Sequence, residues 1–314
     1  MNKVFCHVWD YTILIYTNEI QIIFDLYKIR DVGGIPVQFQ DKCPYKEDIS
    51  LYIINSSEKV AFIQEGLNYY LYLNLEDGIR YDSLRNLVGQ FVSVVAIING
   101  EYPLHSAAVK VKDKGILLLG GSGAGKTILS IYLCNKINAY WLSNDWSAIS
   151  LNDLKSDDKH VEITKGYDII SVRKESLAHI TPYIASQKTV ALLNTCSEEK
   201  KIFDLHALNI KKGHLPEKIS NIYIIRINNN LPYCITQLSY EEVYALLKQE
   251  LTWVVSGANS SLYNKKDFKI LEKVVVDVIP PNLDNIIAEI YRKVTISKIS
   301  GNVKAVGQYI RRQV

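Results

Sequence analysis

The chain has 314 residues, 48% of them hydrophobic, with 36 Lys and Arg against 33 Asp and Glu for a net charge of +3. This supports a sizeable core in one large or two medium domains, and the near-neutral balance, without a long block of like charge, gives no case for nucleic acid or a membrane as partner. Five cysteines, Cys6, Cys43, Cys134, Cys196 and Cys234, stand singly without a C-x-x-C pair, which fits reduced thiols, and with no apolar run of membrane-spanning length and no signal-peptide core a cytoplasmic protein is expected.

Residues 4–75 read as β structure. Runs at 11–17, 19–24, 49–54, 60–63 and 69–73 are rich in branched and aromatic residues, and turn signals separate them at 17–18, 33–34, 55–57 and 65–68. They predict a mainly antiparallel, β-rich domain over residues 1–80. His7, Asp10 and Glu19 read as solvated edge residues. Residues 82–100 predict a helix: Asp82 is the N-cap, Leu84, Leu87, Val88, Phe91, Val94, Val95 and Ile98 follow helical spacing, and Asn99 with Gly100 is a stop. Residues 104–111 predict a strand carrying His105, followed by a hairpin turn at 112–115.

Ile116, Leu117, Leu118 and Leu119 form a short apolar run suited to a strand buried on both faces. Gly120, Gly121, Ser122, Gly123, Ala124, Gly125, Lys126 and Thr127 follow, and their glycines let the backbone bring N–H groups close to an anion. Ile128, Leu129, Ile131, Tyr132 and Leu133 then give a helix its broad apolar face. The spacing G-x4-G-K-T between a strand and a helix is the Walker A pattern. It predicts that backbone amides cradle phosphates, Lys126 reaches the β and γ oxygens and the Thr127 hydroxyl ligates Mg²⁺.

Residues 139–151 predict strand, polar break and strand, with Ser143, Asn144 and Asp145 in the break. A carboxylate at the end of an apolar strand beside a phosphate loop is where metal ligation or general-base work is done in phosphoryl transfer. Without that loop Asp145 would read as a hairpin-turn residue. A polar turn is expected at 155–159 and strands at 161–166 and 168–174, where Arg173 reads equally as a phosphate contact or a surface ion pair. Loops follow at 198–201 and 211–216, and a buried strand at 222–227. Ser239 and Glu242 form a capping box that opens a helix. Residues 255–314 predict helices around a loop at 279–282, with Arg311 and Arg312 in a solvated tail. No ABC-type signature and no second strand ending in Asp-Glu is visible in the sequence, which argues against a motor ATPase.

Three pieces, Leu104-His-Ser-Ala-Ala-Val109, residues 120–127 and Leu142-Ser-Asn-Asp145, resemble in order and spacing the HPr kinase-like family over about residues 100–175. The helix before His105, the strand at Arg173 and the strand–helix pair at 222–250 resemble it more loosely. The resemblance implies an α/β fold, α+β overall, with a P-loop core of the HPr kinase and phosphoenolpyruvate carboxykinase type over residues 81–314 behind the N-terminal β region. It also implies a kinase that uses ATP and Mg²⁺ and moves the γ-phosphoryl to a hydroxyl, usually a serine. In that family a histidine stands where His105 stands, and two aspartates end the strand after the Walker helix, one acting as base and the other helping to hold the metal. Here the pair is Asn144 and Asp145. An amide cannot take a proton, so Asp145 is left to draw the acceptor's proton or share the metal, with Lys126 stabilising charge on the transferred group. The arginine- and glycine-rich C-terminal signature of HPr kinase/phosphorylases is missing from residues 200–314, so the likeness is closer to related kinases that modify peptides, such as lasso peptide precursors. The expected acceptor is a peptide or protein serine. A kinase for a small-molecule hydroxyl and a nucleotide-binding regulatory ATPase are the alternatives, and a homo-oligomer is left open.

Overall fold

The computed structural model describes residues 1–314 except 33–34, 58–60, 74–80, 152–159, 185–199 and 257–282. The turns expected at 33–34 and 155–159, the loop at 279–282 and Cys196 therefore lie outside the described residues. The chain divides into two units, Met1–Pro103 with Gln249–Leu283, and Leu104–Lys248 with Asp284–Val314. Both mix helices with strands, in keeping with an α+β class. The helix over residues 81–98, which sequence reading groups with the second domain, belongs to the first unit.

The first unit contains β1 (Asn2–Val8), β2 (Tyr11–Thr17), α1 (Ile20–Lys28), β3 (Asp31–Val32), β4 (Ile35–Pro36), β5 (Gln38–Gln40), β6 (Ile49–Asn55), β7 (Ala61–Glu65), β8 (Asn68–Leu73) and α2 (Tyr81–Ile98). Six strands form one sheet in the order β5-β1-β2-β6-β8-β7, while β3 pairs with β4. Its β5-β1, β1-β2 and β8-β7 pairs are antiparallel, as expected of most of the sheet, but the sheet is mixed, because β6 runs parallel to both β2 and β8. Parallel neighbours need a crossover, and the chain between β2 and β6 supplies one that contains α1. The strand expected at 19–24 is that helix. Ile22, Ile23 and Leu26 are buried while Ile20 and Phe24 are 53% and 57% exposed, a one-sided stripe at helical rather than alternating spacing.

Alternation along β1 and β8 buries Val4, Cys6, Tyr69 and Leu71, while β2 and the start of β6 are buried on both faces and add Ile13, Leu14, Ile15 and Leu51. Helix α2 contributes Leu84, Leu87, Val88, Phe91 and Val95 to the core, and the Tyr69 and Phe91 rings meet edge to face at 5.2 Å. Asp82 stands inside the first turn of α2 rather than before it. Tyr16, Tyr52 and Tyr70 occupy matching positions on β2, β6 and β8 and stack at 4.7 and 4.5 Å, so this part of the tyrosine content serves cross-strand pairing.

At Leu104, the last residue of β9 (Glu101–Leu104), the chain enters the second unit, with β10 (Ser106–Val111), β11 (Lys114–Leu119), α3 (Lys126–Ile137), β12 (Tyr140–Ser143), β13 (Ser147–Leu151), β14 (Val161–Lys165), β15 (Ile170–Arg173), α4 (Lys174–Ile180), β16 (Lys200–Phe203), β17 (Glu217–Ile227), β18 (Cys234–Gln237) and α5 (Tyr240–Ser256) as far as Lys248, and it returns at Asp284 in α6 (Leu283–Lys293), followed by β19 (Thr295–Gly301) and α7 (Val303–Gln313). The sheet runs β12-β10-β11-β17-β14-β13, and β19 and then β18 continue beside the C-terminal part of β17. Strands β11, β17 and β19 are parallel, whereas β10 pairs antiparallel with both β11 and β12. Val109, Ile116, Leu118, Leu129, Leu133, Trp141, Tyr223, Ile225, Val306 and Ile310 share one core.

Several elements depart from expectation. Strand β17 starts five residues before the predicted run, at Glu217 rather than 222. Lys200 and Lys201, expected in a loop, belong to β16, which pairs with β15. Strand β19 falls where helix and loop were expected, and Arg311 and Arg312 lie in α7 rather than in a tail. The capping box is as read: the Ser239 N–H donates to Glu242 Oε2 at 2.9 Å, and the Glu242 N–H donates to Ser239 Oγ at 3.3 Å. Among the described residues no helix is long and apolar enough to cross a membrane.

Candidate functional site

The loop between β11 and α3 is held by its neighbour strand. The Ile227 N–H, at the end of β17, donates to the Ala124 carbonyl at 2.8 Å, and the Leu129 N–H starts the helical ladder on the Gly125 carbonyl at 2.9 Å. Gly125 sits at φ 92°, and a β-carbon there would lie 2.6 Å from Ile227 Cβ. At Gly120, φ 148°, a β-carbon would lie 2.8 Å from the Ile225 carbonyl oxygen. Both positions therefore need glycine, for backbone shape and for close approach to β17. Gly121, Ser122 and Gly123 are exposed at the loop's tip.

No side chain caps the N-terminus of α3. The N–H groups of its first turn have no carbonyl one turn earlier in the helix, and the helix dipole favours an anion there. Lys126 is 6% exposed, and its Nζ donates to the Gly120 carbonyl at 2.6 Å and the Gly121 carbonyl at 3.4 Å. The ammonium is thus folded against the carbonyls of its own loop.

Thr127 links this loop to the bend after β12. Its hydroxyl donates to Asn144 Oδ1 at 2.9 Å. Asn144 is fully buried, its backbone N–H donates to the Tyr167 carbonyl at 3.2 Å, and its own carbonyl accepts from the Trp146 N–H at 2.7 Å. Its amide Nδ2 has no hydrogen-bond partner among the described residues. Asp145 follows in the left-handed region at φ 62°, half-buried. The two residues are therefore not equivalent: Asn144 backs the Thr127 hydroxyl, and Asp145 stands one residue further round the bend.

His105 is not within a strand, as expected, but in the bend between β9 and β10. Ser106 pairs with Leu119 and Ala108 with Ser143, so the start of β10 lies between the last residue of β11 and the end of β12. That register brings His105 to the loop's entrance. Burial, and after it the positive charge of Lys126, lowers its pKa to about 4, so the imidazole is neutral above that value.

The fold thus gathers the ends of β11 and β12 with His105, Lys126, Thr127 and Asp145. Arg173 lies at the end of β15, and its side chain is outside the described residues. Sequence reasoning reaches Asn144 only as the neighbour of Asp145 that cannot take a proton. Its position before Asp145 at the end of an apolar strand is the signal, but burial and the Thr127 contact give it meaning. Among the described residues no three His, Cys, Asp or Glu side chains cluster to hold a metal ion. A cation here would take most of its ligands from phosphate and water, as Mg²⁺ commonly does. Neither models of known protein families nor the curated proteins give a match to this chain.

Proposed function

We propose that the second unit binds ATP with Mg²⁺ on residues 120–127 and transfers the γ-phosphoryl to a hydroxyl, with a serine of a peptide or protein as acceptor. The observation that carries this reading is the Thr127–Asn144 hydrogen bond at 2.9 Å, which joins a loop of Walker spacing to the bend bearing Asp145. The resemblance to the HPr kinase-like family supports the choice of acceptor.

The amides of the loop and of the first turn of α3 bind the phosphates, and Lys126, with three donor hydrogens, reaches a phosphate oxygen while keeping a loop carbonyl. Mg²⁺ supplies charge neutralisation on the phosphate oxygens when bound; the Thr127 hydroxyl would hold it, with Asp145 as the alternative ligand if it is not the base, and such oxygen donors fit a hard cation that retains water. Asp145 takes the acceptor's proton as the acceptor oxygen bonds to the γ-phosphorus, and the bridging oxygen leaves with its electron pair on ADP. His105 offers an uncharged hydrogen-bonding group beside Lys126.

Mass spectrometry of serine-containing peptides and free hydroxy amino acids, incubated with protein, ATP and Mg²⁺, tests this. A phosphorylated peptide is expected from the wild type and none from Asp145→Asn, which should still bind ATP. Transfer by Asp145→Asn at the wild-type rate would remove Asp145 as base. Inorganic phosphate with every acceptor unmodified would favour a regulatory ATPase.

A further inference from the structure

We infer that the side-chain amide of Asn144 donates a hydrogen bond to an oxygen of the phosphate chain held by the loop, and that this donor makes nucleotide binding less dependent on a divalent cation. The inference rests on the proposed nucleotide site.

Asn144 is fully buried at the end of β12, and Thr127 engages only one of its two amide heteroatoms. Nδ2 has no partner among the described residues. Trp9 Nε1, Gln90 Oε1, Ser130 Oγ and Ser147 Oγ are also buried without a partner among the described residues, but Asn144 is the residue whose side chain is bonded to Thr127 of the loop, and because a buried donor left unmade is costly, its Nδ2 points to a ligand atom there. Backbone bonds on both sides, from Asn144 N–H to Tyr167 and from Trp146 N–H to Asn144, hold this residue in place. One carbon separates Oδ1 from Nδ2, so whatever satisfies Nδ2 lies within a side-chain width of the Thr127 hydroxyl.

The chemistry of the donor selects the ligand. Nδ2 can only donate. Water on a divalent cation turns its hydrogens outward and gives Nδ2 nothing to bond, whereas a phosphate oxygen accepts, and hydrogen bonds to a charged oxygen are the stronger kind. An aspartate here would accept from Thr127 equally well but would repel the phosphate unless a cation stood between them. Asparagine keeps the Thr127 contact, adds a donor and removes the repulsion.

Calorimetric titration of ATP into the full chain, in EDTA and again in excess MgCl₂, tests the inference. The wild type should bind in both, with affinities within about tenfold, or about 1.4 kcal/mol. Asn144→Asp should lose at least about tenfold in EDTA and much less with Mg²⁺; Asn144→Ala, which removes the donor without adding charge, should lose a similar factor in both. Thermal unfolding checks that the variants are folded. Asn144→Asp binding in EDTA as tightly as the wild type would overturn the inference, as would a wild type that binds only with Mg²⁺. A wild type that binds ATP in neither buffer would instead overturn the nucleotide reading on which it rests.

Discussion

Replacing Gly125 with alanine tests how tightly the loop is seated on β17. The added β-carbon would stand 2.6 Å from Ile227 Cβ and 3.0 Å from its Cγ1, at a backbone angle of φ 92°. An L-residue in the left-handed region costs roughly 1–2 kcal/mol, and forcing an extra carbon into a packed contact costs roughly 1–3 kcal/mol. Together these predict a loss of roughly 2–5 kcal/mol in the stability of the second unit. Gly121→Ala is the control, because its β-carbon would meet nothing within 4 Å; its effect should stay within about 0.5 kcal/mol. Urea unfolding followed by circular dichroism and tryptophan fluorescence gives both values. Adding Ile227→Ala to Gly125→Ala removes Cγ1 but leaves the Cβ at 2.6 Å, so most of the loss should persist. A Gly125→Ala protein as stable as wild type, or a Gly121→Ala protein equally destabilised, would refute the packing described here.

His105 predicts a pH dependence. With its pKa lowered from 6.5 to about 4, the unfolded chain binds a proton between those values that the folded chain does not. Stability from this group is therefore complete above pH 6.5 and is lost as pH falls towards 4, by roughly 3 kcal/mol in total. His105→Gln should leave stability at pH 4 closer to that at pH 7 than the wild type does, measured as urea midpoints across this range; equal pH dependence in both would contradict the burial assigned to His105. Ser239→Ala should destabilise α5 by about 1 kcal/mol in the same assay, since Ser239 Oγ accepts from the Glu242 N–H at 3.3 Å. Asn302→Ala should cost a similar amount at α7, where Asn302 Oδ1 accepts from the Ala305 N–H at 2.9 Å.

The features legible in the sequence are those set by local chemistry. Glycine spacing and the apolar run before it locate the loop, and Ser239 with Glu242 marks a helix start that the reciprocal hydrogen bonds reproduce. Where a segment's state depends on what it packs against, sequence reading loses it. Residues 20–24 are rich in isoleucine and aromatic character, yet α1 forms because only one stripe of them meets the core. Thr295-Ile-Ser-Lys-Ile-Ser-Gly301 carries two isoleucines among polar residues, and becomes β19 because β17 and β18 pair with its two edges. His105 is legible as a candidate but not its neutral state, which comes from burial and Lys126. Asn144 reads as a lost carboxylate until its burial and its contact with Thr127 are seen.

The most direct test of the central claim is phosphorus NMR of ATP with Mg²⁺, the full chain and serine-containing peptides, which follows where the γ-phosphoryl goes. A new phosphoester resonance should grow as the γ signal falls, slowed about a hundred- to thousandfold or more by Lys126→Ala, the scale expected when a preorganised charge-stabilising group is removed. A γ signal converted only to inorganic phosphate, or a phosphoester formed equally well by Lys126→Ala, would contradict it.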